Sequence, residues 1–266
     1  MEKKRLAIVG CGHLGHIVTD ACLQGLLPEY ELVGVLGRDE GHAAAMAEKA
    51  GCSQCKNLDQ LLERKPDYVA EMASVQMVKD MAETVLSRGA NLIVLSIGAF
   101  ADEAFYKKVQ DTARKYGTRV HIASGAIGGF DVLRTISLME AAKGRMVQAS
   151  MVTKKGPKSL AHSPLFQESL MTDTKETEVF SGSTKDAIAI LPTHVNVSVA
   201  ASLATSGTDH LDFHIFSVPG MAGDDHRIMA EGNGLKAIVD VYSQVSDIAG
   251  WSVVALLQNL VSPIMF

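Results

Sequence analysis

The chain has no run of basic residues, no acidic tail and no apolar stretch long enough to cross a bilayer. Without charge runs, neither nucleic acid nor an anionic membrane is expected as a main partner, since both are held chiefly by clustered Lys and Arg. The longest apolar stretches fall far short of the roughly 20 residues of a spanning helix. No leader is read, because Met1-Glu2-Lys3-Lys4-Arg5 runs directly into a first core strand, and the expected location is cytoplasmic. Cysteine is sparse: Cys11, Cys22, Cys52 and Cys55 are the four. Cys52-x-x-Cys55 lacks the second ligand pair of a structural zinc site. Those two read as reduced loop thiols, and no metal is expected.

What is present is an ordinary core-forming composition. Of 266 residues, 47% are hydrophobic and 21% charged, with a formal net charge of -5. That length allows one large domain or two small ones. The organising stretch is Gly10-Cys11-Gly12-His13-Leu14-Gly15, which follows the apolar run Leu6-Ala7-Ile8-Val9. Beyond it, Leu14, Ile17, Val18, Ala21 and Cys22 recur at helical spacing. Strand, glycine turn and helix form the context in which G-x-G-x-x-G binds a dinucleotide. Gly10 allows the tight turn, Gly12 a close pyrophosphate, and Gly15 close packing of helix on strand.

The end of the second strand, Glu31–Leu36, reads the adenosine ribose in such a fold, and here it continues Gly37-Arg38-Asp39. An NAD site usually has an acidic residue there for the 2′-hydroxyl. Arg38 has the fork for a 2′-phosphate, and Asp39 could serve the hydroxyl one or two positions late, so NADP and NAD both stay open. Strands and helices alternate up to a strand over Thr118–Ala123. Their carboxyl ends lie at Gly10–Gly15, Ser74, Ser96–Ala99 and Ser124–Ala126, where ligands bind in doubly wound sheets.

After Ser124 the texture changes. Gly125-Ala126-Ile127-Gly128-Gly129 suggests backbone pressed against a ligand or another chain. A helix over Phe130–Ala142 and a strand over Met146–Thr153 precede a long polar segment from Lys154 to about Thr177. Ser183 caps a helix to Leu191, ended by Pro192, and a small-residue helix runs from Asn196 to Thr205. Leu211, Phe213 and Ile215 alternate with polar residues as a half-buried strand. Gly232-Asn233-Gly234 joins a hairpin. The fold class is therefore α/β: a Rossmann-type doubly wound parallel sheet with a second α+β domain of mainly antiparallel sheet. The expected boundaries are 1–124 for dinucleotide binding, 125–245 for substrate and dimerisation, and a final helix within 246–266 returning to the first domain.

Together these residues resemble the L-aspartate dehydrogenase family. The resemblance rests on Ser96-Ile97-Gly98-Ala99-Phe100-Ala101-Asp102, Ser124 through Gly129, Phe180-Ser181-Gly182-Ser183, Pro192 through Ala204, and His226-Arg227-Ile228. It implies a homodimeric NAD(P)-dependent enzyme that oxidises an amino acid, most simply L-aspartate, to an imine hydrolysed to oxaloacetate and ammonia. It also implies that Ala126 and Asn196 contact the nicotinamide end and that His226 is catalytic. The candidate cofactor set is then Gly10, Gly12, His13, Leu14, Gly15, Arg38, Ser74, Ala126 and Asn196.

A histidine suits proton transfer around an imine, because its pKa lies near neutrality. Among nine histidines, His210 and His214 are read on the polar face of a strand, His121 inside a strand, and His13 in the phosphate turn. His226 begins a strand after the glycine-containing loop Pro219–Gly223. Two features depart from the family. His194-Val195-Asn196 stands where Asn-x-Asn is usual, and Tyr242-Ser243-Gln244-Val245-Ser246 replaces an Asn-Pro-Lys-Thr-Ser-like segment. Two rivals remain: an imine reductase resembling dihydrodipicolinate reductase, and a cofactor-binding sensor without turnover. A sugar-type dehydrogenase would place Glu-Lys-Pro near mid-sheet, whereas this chain offers Glu71-Met72-Ala73 and later Ser96-Ile97-Gly98.

Overall fold

Strands buried on both faces read as continuous apolar runs, and the first strand does so with Leu6, Ala7 and Ile8 fully buried. The computed structural model describes residues 2–161, 163–191 and 195–265. They fall into two compact units, one spanning Met1–Gly125 with Asp247–Phe266 and the other Ala126–Ser246.

In the first unit β1 (Lys4–Val9), α1 (His13–Leu23), β2 (Tyr30–Leu36), α2 (Glu40–Ala50), β3 (Ser53–Cys55) and α3 (Leu58–Glu63) succeed one another. Then come β4 (Tyr68–Glu71), α4 (Val75–Ser87), β5 (Asn91–Val94), α5 (Glu103–Tyr116) and β6 (Val120–Ile122). The six strands are parallel in the order β3-β2-β1-β4-β5-β6, the doubly wound arrangement. Of the two cysteines read as loop thiols, Cys52 lies in a bend, whereas Cys55 ends a strand over Ser53–Cys55. That strand pairs as β3 beside β2, with Gly34 opposite Ser53 and Leu36 opposite Cys55, and the Cys55 side chain is buried. After β5, Ile97–Ala101 winds as a 3-10 turn.

The second unit contains α6 (Phe130–Ala141), β7 (Gln148–Lys155), α7 (Pro157–Leu160), β8 (Thr177–Ser183), α8 (Thr184–Ile190) and α9 (Asn196–Ala204). It closes with β9 (Asp212–Ser217), β10 (Asp224–Gly232) and β11 (Leu235–Ser243). The sheet order is β11-β10-β7-β9-β8, antiparallel throughout except for the parallel pair β7 and β9. The segment from Lys154 to Thr177 is more ordered than its polarity suggests. β7 runs on to Lys155, and α7 and a 3-10 turn at Glu168–Met171 follow. Ser183 caps α8 in a reciprocal box with Asp186. The assignment of Pro192 as the helix stop lies outside the described residues. His210 precedes β9 in a turn, so only His214 of that pair is on the strand's outer face.

Two glycine positions explain themselves. Asn233 and Gly234 both have positive φ, 51° and 75°, which is the two-residue hairpin geometry that matches strand twist. At Gly129 (φ 68°) a Cβ would lie 2.5 Å from Val239 Cγ2. The close approach there is to β11 of the same unit. The last helix, α10 (Asp247–Val261), belongs to the first unit. Val253, Val254 and Leu257 enter its core, and Gly250 admits Ile17 of α1. The Tyr30 hydroxyl donates to Leu257 O at 2.8 Å, and Ser252 Oγ accepts from Gly125 N at 2.9 Å.

Candidate active site

Each helix from α2 to α5 begins with a side chain that satisfies a free backbone N–H. Asp39, Asn57, Ser74 and Asp102 accept from His42, Gln60, Met77 and Phe105 at 2.8, 3.0, 3.1 and 3.0 Å. α1 has no such cap: Gly12 stands at its N-cap with no side-chain bond, and its first turn holds no acidic residue. Its amides and positive dipole end are left for an exogenous anion. The three turn glycines differ in what constrains them. At Gly10 (φ 108°) a Cβ would meet Met72 O at 2.4 Å, and at Gly15 one would meet Gly10 O at 2.0 Å. At Gly12 it would meet nothing within 4 Å. Gly10 and Gly15 are required by the fold itself; Gly12 faces open space.

That space is part of a cleft of about 700 Å³ beyond the carboxyl ends of β1 to β4. Gly10, Gly12, Arg38 and Ser74 line it, together with Asp39, His42 and Lys56. His13, Leu14 and Gly15 are not among the lining residues. They form the first turn of α1, where Leu14 packs on the core and His13 Nε2 lies 2.8 Å from Asp247 Oδ1. Asp39 spends one carboxylate oxygen on the α2 cap, which also holds its pKa below the usual range. Arg38 and Lys56 are the cationic side chains that line the cleft, and His42 lines it as well. Gly37 is small for a packing reason, since a Cβ would sit 2.9 Å from Cys11 Sγ. Burial pushes that thiol up to about 11, so it is neutral filling beneath the cleft.

One residue was passed over in the sequence. Glu71, fully buried at the end of β4, accepts five hydrogen bonds. Oε1 takes Ala73 N, Ser74 N and Ser96 Oγ at 2.7, 2.9 and 2.7 Å. Oε2 takes Ser96 N at 3.0 Å and Leu95 N at 3.4 Å. The signal was an acidic residue ending an otherwise apolar strand.

In the second unit a cavity of about 370 Å³ is lined by Ala126, Asn196 and His226. The β10–β7 register sets His226 opposite Thr153, both buried, with Thr153 Oγ1 3.0 Å from His226 Nδ1. That bond fixes the ring and leaves Nε2 as its other nitrogen. Burial, and then the charge of Lys155, push the His226 pKa down to about 4, with Asp224 acting in the opposite sense. The imidazole is therefore neutral at physiological pH. Lys155 and Asp224 also line the cavity and pair at 2.6 Å. Ser159, Ser163, Phe213 and Ile215 line it as well. His194 lies outside the described residues. The Tyr242–Ser246 segment is tied to the loop before β10: the Tyr242 hydroxyl donates to Ala222 O at 2.7 Å, and Gln244 Nε2 donates to that hydroxyl at 3.0 Å. Among the described residues no cluster of His, Cys, Asp and Glu is arranged to hold a metal ion, and no helix is long and apolar enough to cross a membrane.

The glycine geometry gives a direct test. Gly12 has φ −91° and ψ −166°, which valine adopts readily. Gly12→Val should keep the wild-type unfolding midpoint and lose dinucleotide binding, whereas Gly15→Ala should lose ~1–3 kcal/mol of stability through overpacking. Denaturant unfolding beside fluorescence titration with NAD(P)H reads both. Wild-type affinity in Gly12→Val would remove the pyrophosphate from this turn.

Two family models match the chain. Residues 10–123 match the family described as homoserine dehydrogenase, NAD binding domain, and residues 137–260 match aspartate dehydrogenase, C-terminal. The L-aspartate dehydrogenase of Methanococcus maripaludis strain S2 is 30% identical over 98% of each chain. That of Methanocaldococcus jannaschii is 27% identical, again over 98% of each. The crystal structure of aspartate dehydrogenase from Thermotoga maritima has the same fold, with a TM-score of 0.78 at 24% identity over 100% of both chains. The chain belongs to the L-aspartate dehydrogenase family and is an NAD(P)-dependent amino-acid dehydrogenase.

Proposed function

We propose that the enzyme oxidises L-aspartate at Cα to iminoaspartate, which water converts to oxaloacetate and ammonia, with His226 moving the proton. The observation that carries this reading is a neutral, buried imidazole in a cavity shared with Ala126 and Asn196. In this reading the first unit binds the dinucleotide, with its pyrophosphate on the uncapped N-terminus of α1, while Ala126 and Asn196 face the nicotinamide end. The bound dinucleotide supplies the hydride acceptor. Thr153 holds the His226 ring so that Nε2 is presented to substrate; with Nδ1–H donating to Thr153 Oγ1, Nε2 carries the lone pair. Nε2 then accepts a proton from the water that adds to the imine. Among the described lining residues, Phe213 and Ile215 restrict bulk water on one side of the cavity.

His226→Asn should keep dinucleotide affinity and lose about 10²–10⁴-fold in turnover, the usual scale for a positioned general acid–base. The pH dependence follows from the lowered pKa. The folded imidazole stays neutral down to about 4, whereas the unfolded one takes up its proton near 6.5. The wild-type stability contribution of this group is complete above 6.5 and declines as pH falls through the interval to about 4. The acid limb of activity should lie near the lower figure. Absorbance at the nicotinamide band reads turnover with L-aspartate, or with oxaloacetate and ammonia. Wild-type turnover by His226→Asn would end the mechanism.

NADP(H) is proposed to bind at least as well as NAD(H), because the Asp39 carboxylate is already engaged at the α2 cap while Arg38, His42 and Lys56 line the cleft. Arg38→Ala should then weaken NADP(H) by ~1–3 kcal/mol, the scale for hydrogen bonds to charged groups, and leave NAD(H) alone. Equal losses in titrations with both would remove Arg38 from the 2′-phosphate.

A homodimer is proposed through the outer face of the second unit's sheet, where Phe216, Met229, Ile238 and Tyr242 are partly or largely exposed among charged residues. Light scattering at micromolar concentration should give twice the chain mass; a monomer would overturn it. Four cysteines without a disulfide, Cys11, Cys22, Cys52 and Cys55, support the cytoplasmic reading.

A further inference from the structure

The charged groups of the His226 cavity are few. Among its described lining residues, Lys155 is the one lysine or arginine and Asp224 the one carboxylate. They face each other across the β7–β10 ladder, Lys155 opposite Asp224, with Nζ 2.6 Å from Oδ2. Both side chains are about one-third exposed, at 27% and 35%, so neither is sealed from a ligand. The pair sits two residues along each strand from the Thr153–His226 contact, on the same face of the pleat.

An α-amino acid also carries an ammonium and a carboxylate side by side. Laid against Lys155 and Asp224 in the opposite sense, it closes a ring of four alternating charges. Lys155 has three ammonium hydrogens and spends one on Asp224, leaving two for a carboxylate. Asp224 keeps its second oxygen for an ammonium. The hydroxyls of Ser159 and Ser163 line the same wall; Ser163 Oγ accepts from Leu165 N at 3.2 Å, so its own hydrogen is available to donate. We propose that the Lys155–Asp224 pair is the recognition site for the substrate's α-amino-acid head group, Lys155 taking the α-carboxylate and Asp224 the α-ammonium.

This placement rests on the amino-acid reading above and deepens it. It sets Cα and its nitrogen beside His226, where the proton must move. It also couples binding to chemistry. The groups that act on the imidazole are Lys155 from β7, which depresses its pKa, and Asp224 from its own strand, which raises it. The head group sets a carboxylate against Lys155 and an ammonium against Asp224, so its two charges act on the imidazole in opposite senses, and a substrate without the ammonium leaves only the carboxylate's effect.

A cross-strand ion pair with only a structural role makes a different set of predictions, and the two reaction directions separate them. L-aspartate carries the ammonium; oxaloacetate does not. Lys155→Met should raise KM for both by about 10- to 100-fold, the range for losing a hydrogen bond to a charged group. Asp224→Asn should raise KM for L-aspartate by a similar factor and change that for oxaloacetate little. The acid limb of kcat/KM should shift up in Lys155→Met and down in Asp224→Asn, with Lys155→Arg recovering part of the loss. Where a single variant is poorly folded because it strands one charge, the double variant Lys155→Met with Asp224→Leu removes both together. A structural pair then predicts wild-type KM; the head-group site predicts loss of L-aspartate binding at full NAD(P)H affinity. Wild-type KM in the double variant, or equal KM changes for both substrates in Asp224→Asn, overturns the assignment while the dehydrogenase reading stands. A wild-type enzyme that turns over no amino acid removes that reading first, and this site with it.

Discussion

The cleft of the first unit depends on one buried carboxylate. Glu71 gathers donors from the turns after β4 and β5. Burial raises its pKa while the five donors favour the charge. Its contacts are four backbone amides, which only donate, and the Ser96 hydroxyl, which can donate to a carboxylate or accept from a carboxyl. Replacing Glu71 with an apolar residue would take this acceptor from Ala73 N, Ser74 N and the buried Ser96 N, while Leu95 N keeps its bond to Glu71 O; the unpaired buried amide alone costs about 1–3 kcal/mol. Ser74, which Glu71 positions through its backbone, both lines the cleft and caps α4. The cleft's rim and the packing of the next helix are thus set by one side chain.

The contrast between α1 and its neighbours extends the point. Four helices of this sheet close their N-termini with their own side chains, and one leaves its N-terminus uncapped. An uncapped end costs stability unless something occupies it. The chain tolerates that cost at Gly12, where the cleft of about 700 Å³ opens and a side chain would meet nothing within 4 Å. The neighbouring glycines divide along the same line: two are needed for backbone contact, and the third leaves room.

Much of this was readable from local chemistry. Glycine turn, helix periodicity, the Ser183–Asp186 box and the Asn233-Gly234 hairpin are short-range features, and short-range rules recover them. What the sequence concealed depends on partners distant in the chain. β3 is three residues long and forms because β2 offers it an edge; nothing in Ser53-Gln54-Cys55 announces a strand. β8 begins in a polar stretch and exists through pairing with β9. Glu71 resembled a strand-end acid until Ser96, 25 positions later, was brought beside it. Of the candidate cofactor residues, Gly10, Gly12, Arg38 and Ser74 share the cleft, whereas His13 and Leu14 belong to the motif by position and turn elsewhere.

The His226 cavity is built by register. Strand pairing sets Thr153 against His226 and Lys155 against Asp224 two steps on, since alternate residues of a strand share a face. A slip of one residue between β7 and β10 would send Lys155 and Thr153 to the outer face and dismantle ring support and charge pair at once. One close approach opposes that slip directly: Gly156, just past β7, lies so near Met221 O, before β10, that a Cβ there would stand 2.2 Å away. The Asn233-Gly234 turn and Gly223, where a Cβ would stand 2.1 Å from Ser243 O, fix β10 against β11. Both approaches grip the strand ends nearest the charge pair. The glycines that lack a side chain therefore determine where the reactive ones stand, which is why this chemistry is carried on a sheet and not on a loop.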